Sequence, residues 1–259
     1  MTDPLRGKTA VVTGSSTGIG RAIAIRLAQQ GAKVVLHART NSDSIQTVAK
    51  EISALGSDSI TLLSDFSTIE SWDDFVGLTW NWQGDVDIWV NNAGGDVLTG
   101  EWADRELEEK LQFLFQVDVT ATLMLSKRAG ERMKESAAGN AGSKSILNIG
   151  WDQAWQGMAG TSGELFSTTK GAIMAMTKSL AQSYAPEVRI NCIAPGWIQT
   201  KWGKQTSEAW NQRAMQESLM KRWGTPDDVA NVAAFLCSDQ ASFVSGQVLS
   251  VNGGFDFRQ

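Results

Sequence analysis

One tyrosine, one histidine and two cysteines are all that 259 residues carry of the side chains most often recruited for proton transfer, metal ligation and thiol chemistry. Cys192 and Cys237 form no CxxC pair, and with His37 as the single imidazole a zinc site of the usual kind has almost no material, so no metal is expected. Two isolated thiols fit a reducing compartment, and a cytoplasmic protein is expected. No run of about 18 apolar residues occurs, and the opening MTDPLRGK lacks an apolar core, which argues against membrane spanning and secretion. Basic runs are also missing. A net charge of -5 and a pI near 5.0 leave nothing to neutralise a phosphate backbone, so nucleic acid is excluded as a partner and a small molecule is expected instead.

What is present is an alternation. Thr9 to Thr13 is a short apolar, β-branched run, followed by GSSTGIG and a helical pattern from Arg21 to Gln30 that stops at Gly31. Gly14, Gly18 and Gly20 permit a tight turn and close approach of a ligand, and the following helix offers free N–H groups and its positive dipole end to a phosphate. Lys33 to His37 is the next strand. After it come a helix over Asn41 to Leu55, a strand over Ser59 to Leu63, the loop Ser64-Asp65-Phe66, a tryptophan-rich helix over Ser71 to Trp82 and a strand over Asp87 to Val90. Strand and helix in turn, with short glycine-bearing loops, no linker and no repeat, predict an α/β fold: one doubly wound parallel sheet spanning residues 1–259.

The end of the second strand bears on cofactor choice. A carboxylate there would accept hydrogen bonds from the ribose hydroxyls of NAD, whereas this chain offers Arg39 and no acid before Asp43. Guanidinium suits a phosphate, so NADP is expected, with NAD the alternative. His37 is read as structural.

Thr13-Gly14-Ser15-Ser16-Thr17-Gly18-Ile19-Gly20 resembles the TGxxxGIG loop of the short-chain dehydrogenase/reductase family, and Asn91-Asn92-Ala93-Gly94 its NNAG motif. The likeness continues through NCIAPGWIQT at 191–200, RWGTPDD at 222–228 and SGQVLSVNGG at 245–254, and so covers nearly the whole chain. It implies a Rossmann-like fold, a homodimer or homotetramer, and a lid segment around 197–222. It also implies that the glycine loop, Asp65 and Phe66 beside the adenine, Asn92, Ala93 and Gly94, and Pro195, Gly196, Ile198 and Thr200 at the nicotinamide end hold the dinucleotide. Asn91 would steady the central strand.

The family's chemistry uses a tyrosine as general acid, a lysine that tunes it and holds the ribose, a serine at the carbonyl oxygen and an asparagine behind a relaying water. Lys170 matches the lysine. The tyrosine position, four residues earlier on the same helical face, is Phe166, and the only tyrosine, Tyr184, lies turns beyond, so no shift of register restores it. The serine position falls on Gly150 or Trp151, and the asparagine position is Asp118, which keeps much of the asparagine's shape and pairs with Lys170 if the two lie close. These departures imply that standard hydride transfer is absent or weakened. Alternatives are an unconventional reductase, or a non-redox lyase or epimerase using Glu164 or Asp152 with Lys170, or a dinucleotide-sensing or scaffold subunit. Ser162 and Ser167 are read as capping or surface residues. Among the 11 tryptophans, Trp151, Trp155, Trp197, Trp202 and Trp210 fall near the carboxyl ends of the strands, where they either wall a sugar or flat apolar ligand or seal the cleft.

Overall fold

The computed structural model describes residues 3–40, 42–137, 139–200, 203 and 206–255. Seven strands, β1 (Thr9–Val12), β2 (Lys33–Ala38), β3 (Ser59–Leu63), β4 (Ile88–Asn91), β5 (Lys144–Ile149), β6 (Val188–Pro195) and β7 (Val248–Val251), form one sheet in the order 3-2-1-4-5-6-7. Every pairing is parallel. The order reverses between β1 and β4, and a crevice opens there at the strands' carboxyl ends, the place where such sheets take ligands. The expected architecture is thus the observed one.

Continuous apolar runs make these central strands, because helices cover both faces and no alternation is needed. On one face, α1 (Gly18–Gln29) buries Ile23 and Leu27 against β1 and β2 and packs along α9 (Pro226–Cys237). Each such fully buried aliphatic side chain contributes about 1.5–3 kcal/mol. Gly31, the expected stop of α1, sits at φ 93, where a Cβ would also press on the Arg6 backbone. On the other face, α3 (Ser71–Gln83) and α5 (Ala121–Ala137) sandwich a core that contains Trp72, Phe75 and Trp89. Part of the tryptophan excess is therefore ordinary packing. Arg128 and Arg132 close that layer over the faces of Trp72 and Trp80.

Two features aim the remaining segments at the crevice. The RWGTPDD stretch caps α9 through a reciprocal Thr225–Asp228 box with Pro226 at the first turn, while Gly224 exchanges backbone hydrogen bonds with Trp197 and Gln199. The loop after β6 is thereby fastened over the sheet edge. Between α4 (Leu107–Leu114) and α5, residues Phe115–Thr120 form a π-helical turn. This insertion turns Asp118 inward, where it is fully buried. Helix α7 (Thr161–Tyr184) then runs the length of the sheet and presents Phe166 and Lys170 to the crevice.

No helix among the described residues is long and apolar enough to cross a membrane, and none of their His, Cys, Asp and Glu side chains cluster in threes as metal ligands would.

Candidate active site

The crevice holds two cavities that share Ile19, Asn92, Gly95 and Asp96 in their walls. The first, about 520 Å³, lies over the glycine loop and is lined by Gly14, Ser16, Thr17, Ile19 and Gly20, with Arg39, Asp65, Phe66, Ala93 and Gly94 around them. Its floor fits a pyrophosphate. Thr17 begins α1 without a side-chain cap, so the first-turn N–H groups are left for an anion. The glycines are required by close packing: a Cβ on Gly20 would stand 2.3 Å from both the Asn92 amide and the Gly14 carbonyl, and one on Gly14 2.9 Å from Ala93 Cα. Two expected contacts lie elsewhere. Ser15 is buried beneath the loop, and Gly18 faces Thr200 in an adjoining cleft.

His37 proves to be the pin of this loop. Its Nδ1 accepts from the Gly14 N–H at 3.0 Å, its Nε2 lies 2.9 Å from the Ser64 carbonyl, and its backbone carbonyl accepts from the Ser15 N–H at 2.9 Å. The ring also stacks on Phe66, 4.2 Å between centroids at 4°. An acceptor at Nδ1 and a donor at Nε2 describe the neutral imidazole, and burial, only partly opposed by the Ser64 carbonyl, holds its pKa down at about 4. Thr13 completes the framework by taking the Asn92 and Ala93 N–H groups on its hydroxyl, while Asn92 returns its amide to the Thr13 and Gly14 carbonyls. Asn91 bridges Ser126 and Asn148 at 2.8 Å each, steadying the central strands as expected.

The second cavity, about 610 Å³, contains Lys170, Phe166 and Trp151 in its wall together with Pro195, Gly196, Ile198 and Thr200. Of the two candidates for the serine position, Trp151 is the one whose side chain reaches the space beside Phe166; the rings meet edge-on, 6.3 Å apart at 81°. Gly150 points the other way, where a Cβ would strike Met174 and Cys192. Lys170 Nζ pairs with Asp118 Oδ2 at 2.9 Å, and Asp118 Oδ1 accepts from the Gly95 N–H at 2.7 Å. Gly94 allows this: a Cβ there would lie 3.3 Å from the carboxylate and 3.4 Å from the ammonium.

Several expected side chains sit elsewhere. Glu164 is exposed and lines neither cavity, and Trp155, expected in the aromatic wall, is 54% exposed and also lines neither. Trp202 lies outside the described residues. Ser162, expected to cap or face solvent, instead lines the second cavity one helical turn before Phe166, while Ser167 donates to the Gln153 carbonyl. Trp223 joins the wall unanticipated, because only the fold brings the α9 approach beside the β6 loop.

Asp152 is buried beneath the cavity rather than in it. Asn252 donates to its Oδ2 at 2.9 Å, and its other oxygen has no partner among the described residues. Burial raises its pKa to about 6, with the charge of Glu217 adding to the rise and the Asn252 hydrogen bond opposing it. The native state thus keeps this proton between about pH 4 and 6, where the unfolded chain has released it. Its contribution to stability is full below about pH 4, falls as pH rises and is lost above about 6. Asp152→Asn is therefore expected to raise Tm by roughly 5 °C at pH 8 and by only about a third as much at pH 4.5. Thermal unfolding at the two pH values checks this, and equal shifts at both would show that Asp152 does not titrate as described.

The model of the family described as Enoyl-(acyl carrier protein) reductase matches residues 14–256. The 3-oxoacyl-(acyl-carrier-protein) reductase of Aquifex aeolicus is 36% identical over 260 residues, covering 96% of this chain and 98% of its own. Glucose 1-dehydrogenase 2 of Bacillus subtilis is 34% identical over 253 residues, covering 96% and 95%. Among solved structures, a 7α-hydroxysteroid dehydrogenase complexed with NADH and 7-oxo glycochenodeoxycholic acid superposes with a TM-score of 0.86 at 32% identity, covering 98% and 96%.

Proposed function

Because this chain belongs to the short-chain dehydrogenase/reductase family, whose members bind NAD or NADP, we propose that it is an oxidoreductase of carbonyl and alcohol compounds that holds NADP and transfers hydride weakly or not at all. One observation carries the reading: the wall beside Lys170 presents Phe166 and Trp151, neither of which has a hydroxyl, where a reacting carbonyl would need a proton. The dinucleotide supplies the hydride. The chain's residues hold the phosphates at the start of α1, seat the adenine between Asp65 and Phe66, and set Lys170 at the nicotinamide end. Arg39, exposed at the lip of the first cavity with no acid beside it at the end of β2, supports NADP over NAD.

Titration of the protein's own tryptophan fluorescence with NADPH and NADH tests this. NADPH is expected to bind more tightly, and Arg39→Ala to reduce its advantage by about tenfold, the value of one charge-assisted contact. Failure of both dinucleotides to bind would sink the reading.

A further inference from the structure

The second cavity carries more aromatic surface than holding a dinucleotide requires. Beyond the nicotinamide end its wall is built from Trp151, Trp197, Trp210, Trp223, Phe166 and Met158. Trp197 packs on Trp210 at 5.4 Å and on Trp223 at 6.0 Å, and Trp151 on Phe166 at 6.3 Å, yet the wall they form leaves a cavity of about 610 Å³, nicotinamide end included. Trp197 and Trp210 are also held from behind. Glu217 accepts from Trp197 Nε1 at 2.7 Å and from Arg213 Nε at 2.7 Å, and the Arg213 guanidinium lies over Trp210 at 5.1 Å and over Trp197 at 5.7 Å. A wall fixed in advance loses little side-chain freedom when a ligand meets it.

The polar inventory of the same cavity is nearly exhausted. Asn92 has given its amide hydrogens to the Thr13 and Gly14 carbonyls. The carboxylate of Asp96 is taken by the Leu98 and Thr99 N–H groups and by the Thr99 hydroxyl. Lys170 is paired with Asp118, and its remaining N–H groups lie at the end reserved for the cofactor. Thr200 belongs to the stretch assigned to the nicotinamide end. The Ser162 hydroxyl and the Trp151 indole N–H are left, and among the described residues neither forms a hydrogen bond; of the two only the hydroxyl can both donate and accept. A sugar brings a hydroxyl on nearly every carbon, and each one stripped of water without a partner counts against binding. Stacking on indoles cannot offset several such losses. A fused-ring or aryl compound with one oxygen substituent has a single polar group to satisfy and two flat faces to stack.

We propose that this cavity takes a planar fused-ring or aryl ketone or alcohol, stacked on the tryptophan wall with its oxygen substituent within reach of Ser162, and that polyhydroxylated sugars are excluded. The assignment rests on the dinucleotide reading above, since that reading reserves the Lys170 and Thr200 end for the cofactor.

Calorimetric titration of the native protein, with and without NADPH, uses 1-tetralone as the fused-ring ketone, tetralin as its deoxygenated counterpart and D-glucose as the sugar. Tetralone is expected to bind, tetralin more weakly and glucose not at all. Trp210→Ala should weaken tetralone about tenfold and Trp210→Phe less, the phenylalanine variant guarding against a fold lost with the alanine. Ser162→Ala should abolish the preference of tetralone over tetralin. Glucose binding as tightly as tetralone, or tetralone binding indifferent to both Trp210 variants, would overturn the assignment. Tetralone binding that responds to Trp210 while NADPH fails to bind would retain it and remove the dinucleotide reading; NADPH binding with no tetralone binding in either state would do the reverse.

Discussion

Phe166→Tyr and Trp151→Ser, introduced together, are expected to raise NADPH-dependent reduction of a carbonyl panel by at least about 10³-fold over the native protein. A positioned proton donor supplies typically 10²–10⁴-fold and one oxyanion donor roughly 10²–10³-fold. The two effects do not multiply when groups act as a unit, which is why the lower figure is set. Geometry favours the pair over either change alone. Phe166 stands one turn before Lys170 with its ring in the cavity wall, so a tyrosine there directs its hydroxyl into the same space. The Trp151 indole meets that ring edge-on at 6.3 Å, and removing it opens room for a carbonyl as well as adding a hydroxyl. Both side chains lie at the nicotinamide end, away from the glycine loop that holds the phosphates and adenine, so NADPH affinity should change by less than about tenfold while kcat rises. Steady-state assays decide it: a native rate within tenfold of the double variant would mean that the protein already possesses a working proton donor, and the impaired-site reading would fall.

How far this site was legible in the chain depends on the range of the interaction concerned. Glycines and apolar runs act locally, so the β1 loop, the end of α1 at Gly31 and the first four strands are readable to within a residue or so of their ends. The one-turn spacing of Phe166 and Lys170 is likewise a property of any helix. Asp118 was placed only in part. Its pairing with Lys170 followed from resemblance, but the π-helical turn that delivers it carries no sequence signature. Asp152 and Glu164 show the limit. Both are acids near the altered stretch, yet one is buried under the cavity against Asn252 and the other faces water, and only the packing of β7 and the pitch of α7 decide which. His37 was read as structural. Its contact with Gly14 needed β2 laid beside β1, and its stack on Phe66 needed the loop after β3. Ser162 marks the same limit, because residues near a helix start usually face water, whereas α7 begins at the mouth of a cavity that only tertiary packing creates.

The Lys170–Asp118 pair is the strongest single dependence of the site on its scaffold. Asp118 is fully buried, and apart from Lys170 the Gly95 N–H is its only close polar contact among the described residues. Lys170→Met is therefore expected to cost about 3 kcal/mol, because it leaves a buried carboxylate without its counter-charge. For a chain of this size that is a fall in Tm of roughly 6 °C. Asp118→Asn alone should cost less. The asparagine keeps an acceptor for Gly95, and Lys170, half-turned to the cavity, can recover water. The combination is the informative measurement. If the penalty of Lys170→Met comes from the stranded charge, adding Asp118→Asn should return most of the lost Tm, since a neutral amide needs no cation. If instead Lys170 matters through the packing of its stem, the double variant will be no more stable than Lys170→Met. The same cycle also bears on the chemistry. An ammonium engaged by a buried carboxylate has fewer donors left for a ribose or an introduced tyrosine, so Asp118→Asn added to the Phe166→Tyr and Trp151→Ser variant should raise its rate further. A rate that falls would place Asp118 among the groups that position Lys170 for catalysis.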